Sequence, residues 1–177
     1  MFRDNVPIFG AVRVLEILHD GSERIISAAK NLLVTVGRDE LAHALVKSHP
    51  VYAGSADVYP RYIGMGTGTT AAAAGDTALQ TPVNAASGSG GTTFKQFTSI
   101  VFPGATGAVK LVTLYSGSEV FTGLREIGLF SGILAAGDPP TITGLKLISR
   151  YISLGNIDKA SSSKIQVEWT LTVQQGS

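Results

Sequence analysis

The chain has 177 residues, enough for one domain with a sizeable core and too few for two independent ones. Its 14 Lys and Arg nearly match 13 Asp and Glu, for a formal net charge of +1, and they are scattered, whereas a nucleic-acid-binding protein gathers a basic surplus on one face. With no cysteine, neither a disulfide framework nor a thiolate metal site is available, and no apolar run approaches the roughly 20 residues of a membrane span.

Hydrophobic residues make up 44 % of the chain and charged residues only 15 %. A small soluble monomer normally relies on net charge to stay apart from its own copies. This balance therefore predicts a homo-oligomer with much of its surface buried against neighbours. The start, Met1-Phe-Arg-Asp-Asn-Val-Pro7, lacks the basic region and apolar stretch of a signal peptide, so synthesis and assembly in a cytoplasm are expected.

Residues 1–9 mix Pro7 with apolar residues and show no period; they read as an edge strand or as an interaction arm lying on a partner, with Phe2 and Phe9 as candidate subunit contacts. Residues 10–177 read as a single β-rich domain. Gly10 to Leu18 is a predicted strand, joined to Glu23–Ala29 through Asp20-Gly21, a strong hairpin signal. Leu41, Ala44 and Leu45 share one helical face, with Asp39 and Glu40 placed in a first turn and Lys47 in a last. That predicts one short α-helix near residues 38–47, stopped by Pro50.

Asp57 to Met65 is a buried-strand candidate, and Gly66 to Gly75 is too rich in Gly, Thr and Ala for a strand interior. Asp76 reads as an N-cap for a short turn. Residues 85–91 read from their composition as a flexible connection. Four or five strands follow: Thr92–Phe102, Val109–Tyr115 with two partly apolar faces, Val120–Phe130, Gly144–Leu154 after Asp138-Pro139-Pro140, and a last one. In the last, Ile165, Val167, Trp169, Leu171 and Val173 alternate with Lys164, Gln166, Glu168, Thr170 and Thr172, the pattern of one buried and one wet face. The fold class expected is mainly β: an antiparallel β-sandwich or jelly-roll-like domain with that one helix.

No catalytic, cofactor-binding or metal-binding constellation is legible. Gly64-Met-Gly-Thr-Gly-Thr-Thr70 lacks the Lys of a phosphate loop, and its glycines are misplaced for a dinucleotide fingerprint. His19, His43 and His49 include no pair at helical ligand spacing. Ser87-Gly-Ser-Gly-Gly91 resembles a nucleophile elbow in letters only, and Glu119, Glu126, Asp138 and Glu168 are acidic by type with nothing to pair them. No enzyme activity, cofactor or small-molecule substrate is expected. Arg125-Glu126 is the exception to blandness. Adjacent strand residues face opposite ways, so one of the two charges is expected in an interior or a subunit contact.

Four phrases, in order, resemble a group of small virion proteins of tailed bacteriophages. They are Lys30-Asn-Leu-Leu-Val-Thr-Val-Gly-Arg-Asp-Glu-Leu-Ala42, Ile63-Gly-Met-Gly-Thr-Gly-Thr-Thr70 with Asp76-Thr-Ala-Leu79, Arg125-Glu-Ile-Gly-Leu-Phe130, and Val167-Glu-Trp-Thr-Leu-Thr-Val173. Relatives often carry Glu shortly after the Asp-Thr-x-Leu segment, where this chain has Gln80-Thr81-Pro82. The resemblance implies a structural virion part whose partners are other virion proteins, such as the major capsid protein or tail and fibre subunits, with no nucleic acid and no membrane. A capsid decoration protein is the expected role; a tail, baseplate or fibre-anchoring adaptor is the alternative.

Overall fold

Alternating apolar residues and Gly-rich turns leave this chain little choice but antiparallel pairing. The structure, a computed structural model, describes residues 8–46, 60–83, 94–104, 107–135 and 141–173. Strands β1 (Ile8–Ile17) and β2 (Glu23–Leu33) form the expected hairpin. Its loop closes where the Leu18 amide donates to the Ser22 carbonyl and the Gly21 amide to that of Leu18, with Gly21 at φ +82°. A side chain is strained at that angle, which is why the turn carries Gly. Ile8 and Phe9 already belong to β1, paired with β9, so the expected arm keeps only residues 1–7, outside the described residues together with Phe2.

Helix α1 (Thr35–Val46) starts three residues earlier than the sequence suggested, so Asp39 and Glu40 fall beyond its first turn. The cause is packing on β8. A Cβ on Gly37 would lie 1.9 Å from the Ile148 carbonyl oxygen, so only glycine lets the first turn sit this close. Glu40, buried, meets Lys146 Nζ at 2.5 Å. Pro50 and residues 85–91 lie outside the described residues.

The remaining strands are β3 (Pro60–Gly66), β4 (Phe94–Gln96), β5 (Ser99–Val101), β6 (Ala108–Tyr115), β7 (Phe121–Ala135), β8 (Thr141–Lys159) and β9 (Lys164–Val173). They pair as one antiparallel sheet in the order β4-β3-β7-β8-β2-β1-β9-β6-β5, curled into a half-barrel. The fold is thus mainly β and antiparallel with one short helix, the class expected. The single strand foreseen over 92–102 is instead split. β4 and β5 lie at opposite ends of the strand order, and the residues between them serve both walls: Phe97 donates its amide to Arg61 on β3 (3.2 Å) and Thr98 to Val112 on β6 (2.7 Å). β2 turns the other corner, pairing with β1 along most of its length and with Ser149 and Arg150 of β8 through Leu33 and Leu32. Strands that change partner in mid-course are how a sheet folds over its own core.

Between the walls lies one main apolar cluster that includes Val12, Ile63, Met65, Ile127, Leu129, Ile148, Val167 and Trp169. The alternation read in β9 is observed for Ile165, Val167, Trp169 and Leu171; Val173, past the end of the core, is exposed. Leu111 and Val112, neighbours on β6, are both buried, as a strand covered on both faces requires. β7 and β8 run longer than expected because their ladder absorbs irregularities. Glu126 faces Ile152 but Leu124 faces Ile157, so β8 carries extra residues in a bulge there, with Gly155 at φ +74°.

Trp169 is fully buried, the largest side chain in the core. Replacing it with Ala is expected to cost about 3–5 kcal/mol, read from the urea denaturation midpoint.

Candidate functional site

The charge pair at the centre of β7 divides as strand geometry requires: Arg125 is exposed and Glu126 is 0 % exposed. A carboxylate in an apolar interior is tolerated only if its charge and lone pairs are met. Arg150 on β8 meets the charge. It faces Gly128, one step diagonal from Glu126 on the same face of the ladder. Its Nε and one terminal nitrogen reach Glu126 Oε2 at 2.9 and 2.8 Å.

The remaining lone pairs are taken by the loop that follows β3. Glu126 Oε1 accepts the amides of Gly68 (3.1 Å) and Thr81 (2.8 Å), and Oε2 accepts that of Gln80 (3.1 Å). Gly66 and Gly68 make this approach possible, since a Cβ on either would stand 2.4 or 2.5 Å from Oε1. Two motifs that look unrelated in the sequence, the Gly/Thr loop and the Arg-Glu strand, are therefore halves of one contact.

Arg150 extends the clamp. It donates to Asp76 Oδ2 (2.8 Å) and to the Thr70 carbonyl (3.2 Å), and Asp76 Oδ2 also accepts the Ala73 amide (2.9 Å). Gln80 Oε1 accepts the amides of Thr69 and Thr70 at 2.8 and 2.9 Å, while its Nε2 donates to Thr70 Oγ1 at 2.6 Å. Leu79 is the apolar anchor, buried with Val34, Tyr62, Phe130 and Leu147, and the Thr35 amide at the start of α1 donates to Ala74. Residues 67–83 are irregular in backbone yet fixed at both ends and in the middle. Thr69, Thr70, Ala71, Ala73 and Ala74 are among the exposed residues of this loop.

Burial pushes the Asp76 carboxyl upward, but the Ala73 amide and the Arg150 guanidinium outweigh it and hold the group below its ordinary value of 3.8. Burial likewise lowers Arg150, while Asp76 and Glu126 more than reverse the effect. Asp76 was expected to cap a short turn; its side chain instead reaches back to Ala73 and inward to Arg150, and no helix follows it among the described residues.

The arrangement fixes the position of the loop over the strands. Five donors, from Gly68, Gln80, Thr81 and two nitrogens of Arg150, converge on the Glu126 carboxylate and meet its charge and lone pairs inside the chain. Glu126 was a candidate subunit contact; its burial inside the chain makes it an internal anchor. Arg125 remains on the surface, its Nε 3.4 Å from Asn156 Oδ1, and Phe9 is exposed with Lys30 Nζ 6.0 Å from its ring centre.

The other acidic residues are not brought together: Glu119 pairs with Lys95 at 2.5 Å, and Glu168 lies between Arg13 (3.6 Å) and Lys110 (3.3 Å). Asp138, His49 and the side chain of His43 lie outside the described residues, and His19 is exposed beside its turn. Among the described residues no three His, Asp or Glu cluster as metal ligands would. An open groove of about 380 Å³ runs beside the clamp, lined by Lys30, Asn31, Thr69, Ala72, Arg150 and Tyr151. Arg150, Asp76 and Gln80 are the clamp residues that sequence reading missed. Part of the signal was present for Arg150: a cation set between apolar residues of β8, as Glu126 is an anion set among apolar residues of β7.

Comparison with known proteins adds no relative: no family model, no curated protein and no solved structure matches this chain.

Glu126→Ala leaves Arg150 buried beside the single carboxylate of Asp76. The expected loss is about 3–5 kcal/mol in chemical denaturation, with faster hydrogen exchange at the Gly68, Gln80 and Thr81 amides. Acid should loosen the same loop through Asp76. Its folded value is depressed, so its contribution is complete above 3.8 and lost as the pH falls through the lower folded value. The protection factor of the Ala73 amide, the unstructured exchange rate at the same pH divided by its own, should fall below pH 3.8 in the wild type and show no such step in Asp76→Asn.

Proposed function

We propose that this chain is a non-enzymatic structural protein of a tailed-phage virion: a capsid decoration protein that stabilises the head, assembled in the host cytoplasm. The observation that carries the reading is the clamp itself. A buried ion pair fixes a surface loop and presents no reactive group, an arrangement suited to holding a contact surface in one shape. The segments joined by the clamp, Ile63–Thr70 and Arg125–Phe130, are two of those that resemble small virion proteins. A loop already ordered before it meets its partner loses less entropy on docking.

Exposed apolar residues add support. Ile100, Val101 and Phe102, at and just beyond edge strand β5, are 55, 41 and 74 % exposed, and such runs on a sheet edge suit contact with another chain. A modest contact repeated over many neighbours holds a subunit by avidity. The partners in this reading are the major capsid protein and further copies of the chain. The alternative, a tail, baseplate or fibre-anchoring adaptor, draws on the open groove beside the loop as the seat of a partner segment.

Immunogold labelling of an epitope-tagged copy on purified particles tests both readings. Label over the head is the expected result, label at the tail or baseplate selects the adaptor, and unlabelled particles overturn the virion reading.

A further inference from the structure

The β1–β2 hairpin carries a chemical liability and a residue placed to contain it. In an Asp-Gly sequence the glycine amide nitrogen can attack the aspartate Cγ. The C–N bond forms as one carboxyl oxygen leaves as water, and the product is a five-membered succinimide. Water then reopens the ring at either carbonyl, restoring aspartate or leaving an isoaspartate whose side-chain carbon now lies in the backbone. No oxidant or co-reactant is needed, since the water lost in one step is regained in the next. Glycine favours the reaction because it has no side chain to hinder closure. Asp20 and Gly21 are exposed, and nothing lies within 4 Å of where a Cβ on Gly21 would be.

The hairpin opposes ring closure from both ends. The Gly21 amide is engaged, donating to the Leu18 carbonyl at 3.0 Å. The carboxylate is turned past Gly21 toward the next residue: Asp20 Oδ1 accepts the Ser22 amide at 2.9 Å and the Ser22 hydroxyl at 2.6 Å. The Ser22 hydroxyl, then its amide, keep Asp20 below the ordinary carboxylate range, and the ionised form is the one less open to attack. We propose that Asp20-Gly21 is a site of slow backbone isomerisation and that Ser22 is the residue that restrains it. The event has a structural consequence, because the inserted carbon falls next to the Ile17–Glu23 rung that starts the β1–β2 ladder.

The test ages the purified full-length chain at neutral pH and measures isoaspartate at residue 20 by peptide mapping with electron-transfer fragmentation. The wild type should isomerise slowly, Ser22→Ala faster by a factor on the order of three to ten, and Ser22→Thr, which keeps the hydroxyl, at close to the wild-type rate. Asp20→Glu should show no such product, because its ring would be six-membered. A further arm needs no variant: in urea-unfolded wild type, where the Ser22 contacts are gone, residue 20 should isomerise faster than in the folded chain. Equal rates in wild type and Ser22→Ala, or in folded and unfolded wild type, overturn the restraint. No isoaspartate at residue 20 under any condition overturns the site.

Discussion

One buried ion pair organises the irregular part of this molecule. Glu126 and Arg150 sit on neighbouring strands at the centre of the β7–β8 wall, almost wholly removed from water. Two charges so placed gain from each other only when their remaining donors and acceptors are also met. The loop after β3 meets them with main-chain amides, and this sets its course: Gly68 and Thr81 must lie together over one carboxylate oxygen, and Thr70 and Asp76 must come back to the guanidinium. The loop is ordered because the charges need it, and the charges are tolerated because the loop is there.

The same economy appears where the sheet turns its corners. Half of a strand pairs on one wall and half on the other, so Phe97 and Thr98 donate in opposite directions and β2 changes partner at Leu32. Tyr115 ties the walls together across the interior, its hydroxyl donating to the Ile63 carbonyl at 3.1 Å. Burial raises the Tyr115 hydroxyl far above its ordinary value, and the Glu119 charge adds to this, so it stays a proton donor at any physiological pH. The edges that remain are short, with β4 and β5 at three residues each, which limits uncontrolled pairing while leaving Ile100 to Phe102 open to a chosen partner.

How much of this was legible depended on the range of the interaction. The β1–β2 hairpin, the helix and the buried face of β9 could be read because their signals are local: a turn residue, a periodicity, an alternation. The helix start was misplaced because Gly37 is set by its approach to Ile148, more than a hundred residues away in the sequence. The strand over 92–102 was read as one piece because nothing in its letters marks where it leaves one wall for the other. Arg125-Glu126 was recognisable as an anomaly, yet its neighbours in sequence could not say which charge turns inward or what receives it.

The sequence by itself determined the mainly β class, the hairpin, the core position of Trp169 and the lack of thiol chemistry, since each follows from residue type and short-range period. Only the tertiary structure decided that Gly66 and Gly68 are spaces cut for a carboxylate, that Asp76 is a strut instead of a cap, and that Gln80 braces Thr69 and Thr70. It alone showed that Glu126 belongs to the interior. The reason is physical: a charge in a low-dielectric interior is stabilised by whatever donors the fold brings within about 3 Å, and that proximity is a property of chain crossings in space.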